Sequence, residues 1–217
     1  GHRMILCDYD FVVFDCDGVI LKSNQLKSDA FAKALEGEPD HQVIEFVEYH
    51  KANGGISRYK KFAYYFHEMY PRPHADVAVE QALGKYAAIV KQGLIDCEMI
   101  GGVHTALSTL QSAQVPCAVN SGGDEQELHQ VFAARGLDQF FAYIFGSPTA
   151  KNDNMQRLKD QGFFTGRGVM LGDSKSDWQA ASLFGLDFIY VQEESEWKDG
   201  AAFNRAQGHL VIENFVS

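Results

Sequence analysis

The sequence predicts an α/β fold: a Rossmann-like, doubly wound parallel sheet with a helical segment inserted after its first strand. Two observations carry that expectation. Short apolar runs ending in a small or acidic residue alternate with helical stretches over most of the chain, and an early segment with helical periodicity contains no strand candidate at all. Unbroken apolar runs of four or five residues suit strands buried on both faces, as in a parallel sheet. Strand-helix-strand alternation then gives the layered α/β architecture.

Phe11-Val12-Val13-Phe14, ending at Asp15, is the first strand. Cys117-Ala118-Val119-Asn120-Ser121, Tyr143-Ile144-Phe145-Gly146, Val169-Met170-Leu171-Gly172-Asp173 and Phe188-Ile189-Tyr190-Val191 follow, with helices expected over 103–113, 124–136, 152–161 and 176–185. Functional residues of such sheets collect at the carboxyl ends of the strands. Asp15, Ser121 and Asp173 fall there.

The segment from about 23 to 95 reads differently. Val43, Phe46, Val47 and His50 sit at i, i+3, i+4 and i+7; Tyr59, Phe62, Ala63, Phe66 and Tyr70 repeat the pattern, as do Val79, Ala82, Leu83, Tyr86 and Val90. Each set is one apolar stripe of an amphipathic helix, and Asn53-Gly54-Gly55 and Pro71-Arg72-Pro73 punctuate them. The expected division is an α/β core of 4–20 and 97–217 with a helical insert of 21–96. Gly1-His2-Arg3, ahead of Met4, reads as a cloning remnant outside the fold.

Composition narrows the function classes. The 217 residues are 46% hydrophobic and 22% charged, ordinary globular usage that excludes a disordered or disulfide-scaffold chain. Nineteen Lys and Arg against twenty-nine Asp and Glu leave a formal charge of −10, which argues against non-specific binding to nucleic acid or an anionic membrane. An anionic substrate would therefore need a few local cations or a metal. No apolar run approaches the ~18 residues of a membrane span, and the four cysteines lack metal-like spacing. They read as reduced thiols in a cytoplasmic protein. The eight scattered histidines read as surface or packing residues.

Several short motifs carry chemistry. In Asp15-Cys16-Asp17-Gly18 two carboxylates leave the first strand two residues apart, so that one can attack an electrophile while the other moves a proton. With Asp15 already charged, the pKa of Asp17 is expected to rise. Gly172-Asp173-Ser174-Lys175-Ser176-Asp177 closes another strand; Asp173 and Asp15 together would make an oxygen site for Mg²⁺, while Asp177 in a first helical turn also suits the helix dipole. Ser121-Gly122-Gly123 precedes a helix, where a hydroxyl and glycine N–H groups make an anion site. Lys151 opens a later helix and would supply a cation. Each motif alone also has an ordinary structural explanation, as a turn, a cap or a solvated charge.

Taken in order, D-x-D, a strand-end Ser, a Lys and G-D-x-x-x-D resemble the haloacid-dehalogenase-like (HAD) hydrolase superfamily, from Phe11 to about Val191. The insert between Asp17 and Ser121 is similar to the small helical cap of its phosphoglycolate phosphatase and β-phosphoglucomutase group. That resemblance implies a Mg²⁺-dependent phosphomonoester hydrolase acting on a small phosphorylated metabolite, with Asp15 as nucleophile and Asp17 as general acid/base. It implies phosphate contacts from Ser121, Gly122 and Lys151, and metal binding by Asp15, Asp17 (through its backbone carbonyl), Asp173 and Asp177, the last orienting metal waters or Lys151. Asn120-Ser121 departs from the common order of hydroxyl then Asn, so a one-residue slip would give Asn120 the phosphate role. Gly55-Ile56-Ser57-Arg58 looks like the cap loop whose arginine meets substrate, and Arg58 is expected to face away from the aromatic stripe and toward a distal anion. A phosphosugar mutase is the alternative within the family, disfavoured by Lys27 where that branch has a His. A non-catalytic binding protein on the same fold is the alternative outside it.

Overall fold

The computed structural model describes residues 2–216. Its centre is a six-stranded, all-parallel sheet in the order β3-β2-β1-β4-β5-β6. The strands are β1 Phe11–Phe14, β2 Cys117–Asp124, β3 Tyr143–Ser147, β4 Gly168–Gly172, β5 Asp187–Val191 and β6 Leu210–Ile212. β1 and β4 are buried at every residue, as their unbroken apolar runs require. Helices α6 Val103–Ser112, α7 Glu125–Ala134, α8 Lys151–Asp160 and α9 Lys175–Leu183 connect them, each starting within two residues of its expected position.

The chain leaves β1 outward through β2 and β3 on one side, then returns to build β4, β5 and β6 on the other. The order therefore reverses beside β1, and a crevice opens there at the carboxyl ends of the strands. Asp15 and Asp173 border it, whereas Ser121 is fully buried within β2, which runs on to Asp124.

Three elements escape the sequence reading. α10 Gly200–Ala206 is short, and β6 is a three-residue edge strand with Leu210 exposed. Neither is long enough to show a period. Helix α1 spans His2–Cys7, so the fold takes in two of the residues read as a remnant; Leu6 anchors it in the core. Gly1 lies outside the described residues.

Between β1 and α6 there are only helices: α2 Asn24–Ala34, α3 Asp40–Ala52, α4 Arg58–Tyr64 and α5 Ala75–Asp96. Phe31, Phe46, Phe62 and Tyr86 interlock at ring separations of 4.4–5.9 Å and form its centre. α4 runs directly into a π-helical turn, Tyr65–Met69, in which the Tyr70 N–H donates to the Tyr65 carbonyl. The wider turn shifts the stripe by one residue. Tyr65, absent from the i, i+3, i+4 pattern, is consequently fully buried, whereas Tyr59 and Tyr70 are only partly so.

Candidate active site

The site begins with a turn only glycine can make. Beyond Asp15 the chain folds back so that the Gly18 N–H donates to the Leu21 carbonyl, with Gly18 at φ +79°. A Cβ there would stand 2.1 Å from Asp173 Oδ2. The D-x-D-G loop is thereby pressed against the end of β4, and Asp15 and Asp173 are brought side by side although 158 residues separate them.

Asp15, Asp173 and Asp177 each offer an oxygen within 4.8 Å of the others, and all three are buried. Lys151 faces them from the start of α8. Its Nζ lies 3.5 Å from Asp15 Oδ1 and is hydrogen-bonded to Asp177 Oδ1. The other oxygen of Asp177 accepts from the backbone N–H groups of Asp173 and Ser174, and Ser174 returns the contact as the N-cap of α9. Both Asp177 oxygens are therefore engaged, one in capping and one in orienting Lys151.

Three buried carboxylates facing one ammonium leave negative charge uncompensated. Burial and the neighbouring Asp177 push Asp15 well above the usual carboxylate range, with Lys151 opposing. The same two causes raise Asp173 to about 7, although Asn24 Nδ2 donates to it at 2.7 Å. An all-oxygen donor set with surplus negative charge fits a hard divalent cation such as Mg²⁺.

Asp17 differs from its expectation. Its carboxylate is turned out of the cluster: Oδ1 accepts from Ser23 Oγ at 2.6 Å and Oδ2 from Lys27 Nζ at 2.7 Å. Burial would raise its pKa, but the Lys27 charge and these hydrogen bonds outweigh burial and carry it below the usual value. The expected rise from Asp15 is absent because a cation of α2 stands closer. Both of its carboxylate oxygens are therefore already engaged.

On β2 the two candidate phosphate residues separate by alternation. Asn120 Nδ2 donates to the Lys151 carbonyl at 3.0 Å and so holds the start of α8. Ser121 is fully buried and its Oγ accepts from the Gly123 N–H at 3.0 Å. Gly122 and Gly123 line the cavity beside it. The ordering Asn120-Ser121 gives Lys151 an anchor and the glycine turn a cap.

Arg58 does line the cavity, yet its fork is already filled. Arg58 is 5% exposed, and its guanidinium forms a bidentate pair with Glu127 of α7 at 3.0 and 2.6 Å and lies 4.5 Å from the Tyr86 ring centroid. It ties the helical insert to the core. The expectation of a free arginine at the distal end fails because Glu127, 69 residues away in sequence, could not be paired with it from spacing.

A cavity of about 470 Å³ runs from Asp15 and Asp173 to the insert's wall of Phe31, Tyr86 and Lys61. Sequence reasoning missed Lys61 and gave His50 only a packing role. Their one sequence signal was a basic residue embedded within or beside an apolar stripe.

The chain matches the model of the haloacid dehalogenase-like hydrolases over residues 12–191. It belongs to that family. Among solved structures, a predicted phosphoglycolate phosphatase from Haemophilus somnus 129PT is similar at a TM-score of 0.73 and 14% identity, covering 95% of each chain. A haloacid dehalogenase-like hydrolase from Streptococcus pneumoniae has a TM-score of 0.69 and 19% identity over 94% of this chain and 95% of that one. A β-phosphoglucomutase from Clostridium difficile has 0.69 and 15% over 95% and 92%. At these identities the likeness is one of fold. No curated protein matches the chain by sequence. Among the described residues of this haloacid dehalogenase-like hydrolase, no helix is long and apolar enough to cross a membrane.

Proposed function

We propose that the protein is a Mg²⁺-dependent phosphomonoester hydrolase acting on a small phosphorylated metabolite. The observation that carries this reading is the convergence of Asp15, Asp173 and Lys151 on one buried point at the head of a cavity. A carboxylate nucleophile there meets a cation that neutralises a transferring phosphoryl group.

Asp15 attacks phosphorus; the ester P–O bond breaks, and the leaving oxygen takes a proton from Asp17. Water then attacks the aspartyl-phosphate and gives its proton back to Asp17, releasing inorganic phosphate and restoring Asp15. The second step uses the ionised Asp17 that Lys27 and Ser23 maintain. The first needs Asp17 protonated, so Asp17 takes a proton from solvent as its pairing with Lys27 loosens and then gives that proton to the leaving oxygen. Lys151, held by Asp177 and by the Asn120 anchor, meets the equatorial oxygens together with the Gly122 and Gly123 N–H groups and the Ser121 hydroxyl. Mg²⁺, held by Asp15, Asp173 and the Asp17 carbonyl, would add charge neutralisation on the same oxygens. The helical cap, closed over this point, excludes bulk water. For the mutase alternative the structure offers no specific support, since Lys27 is already engaged by Asp17.

Turnover of p-nitrophenyl phosphate tests the reading. Wild-type protein should hydrolyse it with Mg²⁺ and stop with EDTA, and Asp15→Asn should be inactive while retaining its thermal midpoint. Full activity in EDTA or in Asp15→Asn would overturn it.

A further inference from the structure

The cations around the cavity are not equivalent. Lys27 is paired with Asp17, Arg58 with Glu127, and Lys151 with the core carboxylates. Lys175 and Lys198 are exposed, and Lys51 is half-buried. Lys61 is 1% exposed, lines the cavity from α4, and among the described residues has no carboxylate within ion-pair distance of its Nζ. Its partners are neutral: His50 Nδ1 at 2.8 Å and the His50 carbonyl at 3.3 Å, with the Phe31 ring centroid 5.4 Å away. A buried ammonium without a counter-ion is disfavoured unless something supplies one. Burial and the nearby Lys27 hold Lys61 down to about 7, because Glu196 and Asp17 oppose them only from beyond ion-pair distance.

His50 is built to keep that ammonium in place. Ser28 Oγ donates to Glu196 Oε2 at 2.9 Å, so its remaining capacity is to accept from His50 Nε2 at 3.0 Å. The imidazole then carries its proton on Nε2 and presents a bare Nδ1 to Lys61. Burial and the Lys61 charge push His50 down to about 2, which keeps it neutral. A continuous donor chain thus runs from Lys61 through His50 and Ser28 to Glu196, joining α4, α3 and α2 to the loop after β5.

The cavity is also longer than a phosphoryl group requires. Its catalytic end is marked by Asp15; the insert's share of the lining mixes the apolar Phe31 and Tyr86 with Glu48, His50, Lys51 and Lys61, and of these cations Lys61 is the buried one. We propose that Lys61 receives an anionic group on the substrate remote from the transferred phosphate, so that the enzyme selects phosphomonoesters of small acids over those of neutral alcohols. The distal group is a carboxylate or a second phosphate; both supply the countercharge Lys61 lacks. This inference rests on the hydrolase reading above and names its substrate class.

Three substrates separate the possibilities: 3-phosphoglycerate, glycerol 3-phosphate, in which a hydroxymethyl group replaces the carboxylate, and propane-1,3-diol bisphosphate. Wild-type kcat/KM should favour at least one dianionic-tail or carboxylate substrate over glycerol 3-phosphate by tenfold or more, and the favoured arm identifies the group. Lys61→Met should collapse that ratio toward one, and Lys61→Arg should restore part of it. Equal wild-type values, or parallel losses in Lys61→Met that leave the ratio unchanged, would overturn the proposal. Calorimetric binding of the same three compounds to Asp15→Asn and to Asp15→Asn/Lys61→Met reads the preference without turnover. If wild-type protein hydrolyses nothing, the hydrolase reading fails, and the binding ratio still decides the role of Lys61.

Discussion

The carbonyl oxygen of Gly55 lies so close to Gly122 that a Cβ on Gly122 would stand 2.3 Å from it. The loop of the insert and the loop of the core approach backbone to backbone there. A Cβ on Gly55 itself would meet Ser176 Oγ at 2.2 Å and Lys151 Nζ at 2.6 Å, and Gly55 holds φ +82°. Gly55→Ala should therefore prop the cap away from Lys151 and lower kcat/KM at least tenfold. The left-handed backbone adds about 1–2 kcal/mol of strain, so the thermal midpoint should fall by only a few degrees. Unchanged kinetics would show that this contact is not needed for turnover.

Asp17 should reveal its role through the leaving group. Proton transfer contributes about 10²–10⁴-fold. Asp17→Asn should lose that much on an alkyl phosphate and distinctly less on p-nitrophenyl phosphate, whose leaving group hardly needs a proton. Equal losses would assign Asp17 to holding Lys27 and the loop instead.

Arg58 should act on stability first. Removing one partner of a buried ion pair leaves the other charge unpaired, at about 3–5 kcal/mol. Arg58→Ala should lower the unfolding free energy by that amount because Glu127 is only 8% exposed. Arg58→Met combined with Glu127→Met, which removes both charges, should recover most of the loss. If the double variant is no more stable than Arg58→Ala, the Glu127 pairing is not what Arg58 contributes. Denaturant unfolding of the three proteins decides this.

His50 should make the fold acid-sensitive. Its folded-state value of about 2 lies below the ordinary 6.5, so between those values the unfolded chain binds a proton that the native state refuses. The His50 contribution is absent above pH 6.5 and lowers stability as pH drops below it, by about 1.4 kcal/mol per pH unit. His50→Gln should be less stable than wild type at pH 7.5, through its lost contacts with Lys61 and Ser28, and should close that gap on acidification to pH 5. A constant gap across that range would mean that His50 takes up its proton as readily in the native protein as in the unfolded chain.

Much of this architecture was legible in the chain. The apolar runs at Phe11–Phe14 and Val169–Leu171 set buried strands, and strand ends in a doubly wound sheet face one crevice, so the order of the chain alone puts Asp15 and Asp173 at a common edge. The helical character of the insert followed from its 3.6-residue stripes. The π-helical turn at Tyr65 was not legible, because one extra residue in a turn leaves no mark on composition. Nor was β6, since three residues are too few to display a pattern.

By itself, then, the sequence determined which segments become strands and helices and which acidic residues stand at strand ends, because those properties depend on local periodicity and backbone geometry. Only the tertiary structure decided which charge meets which. Lys27 reaches Asp17 and lowers it, Glu127 fills the fork of Arg58, and Asp177 takes Lys151, while Lys61 is left with a neutral imidazole. A buried charge is governed by whatever lies within a few ångströms, and Coulomb energy in a low-dielectric interior changes steeply over that distance. Partners 69 residues apart, such as Arg58 and Glu127, become neighbours only once the cap has closed on the sheet.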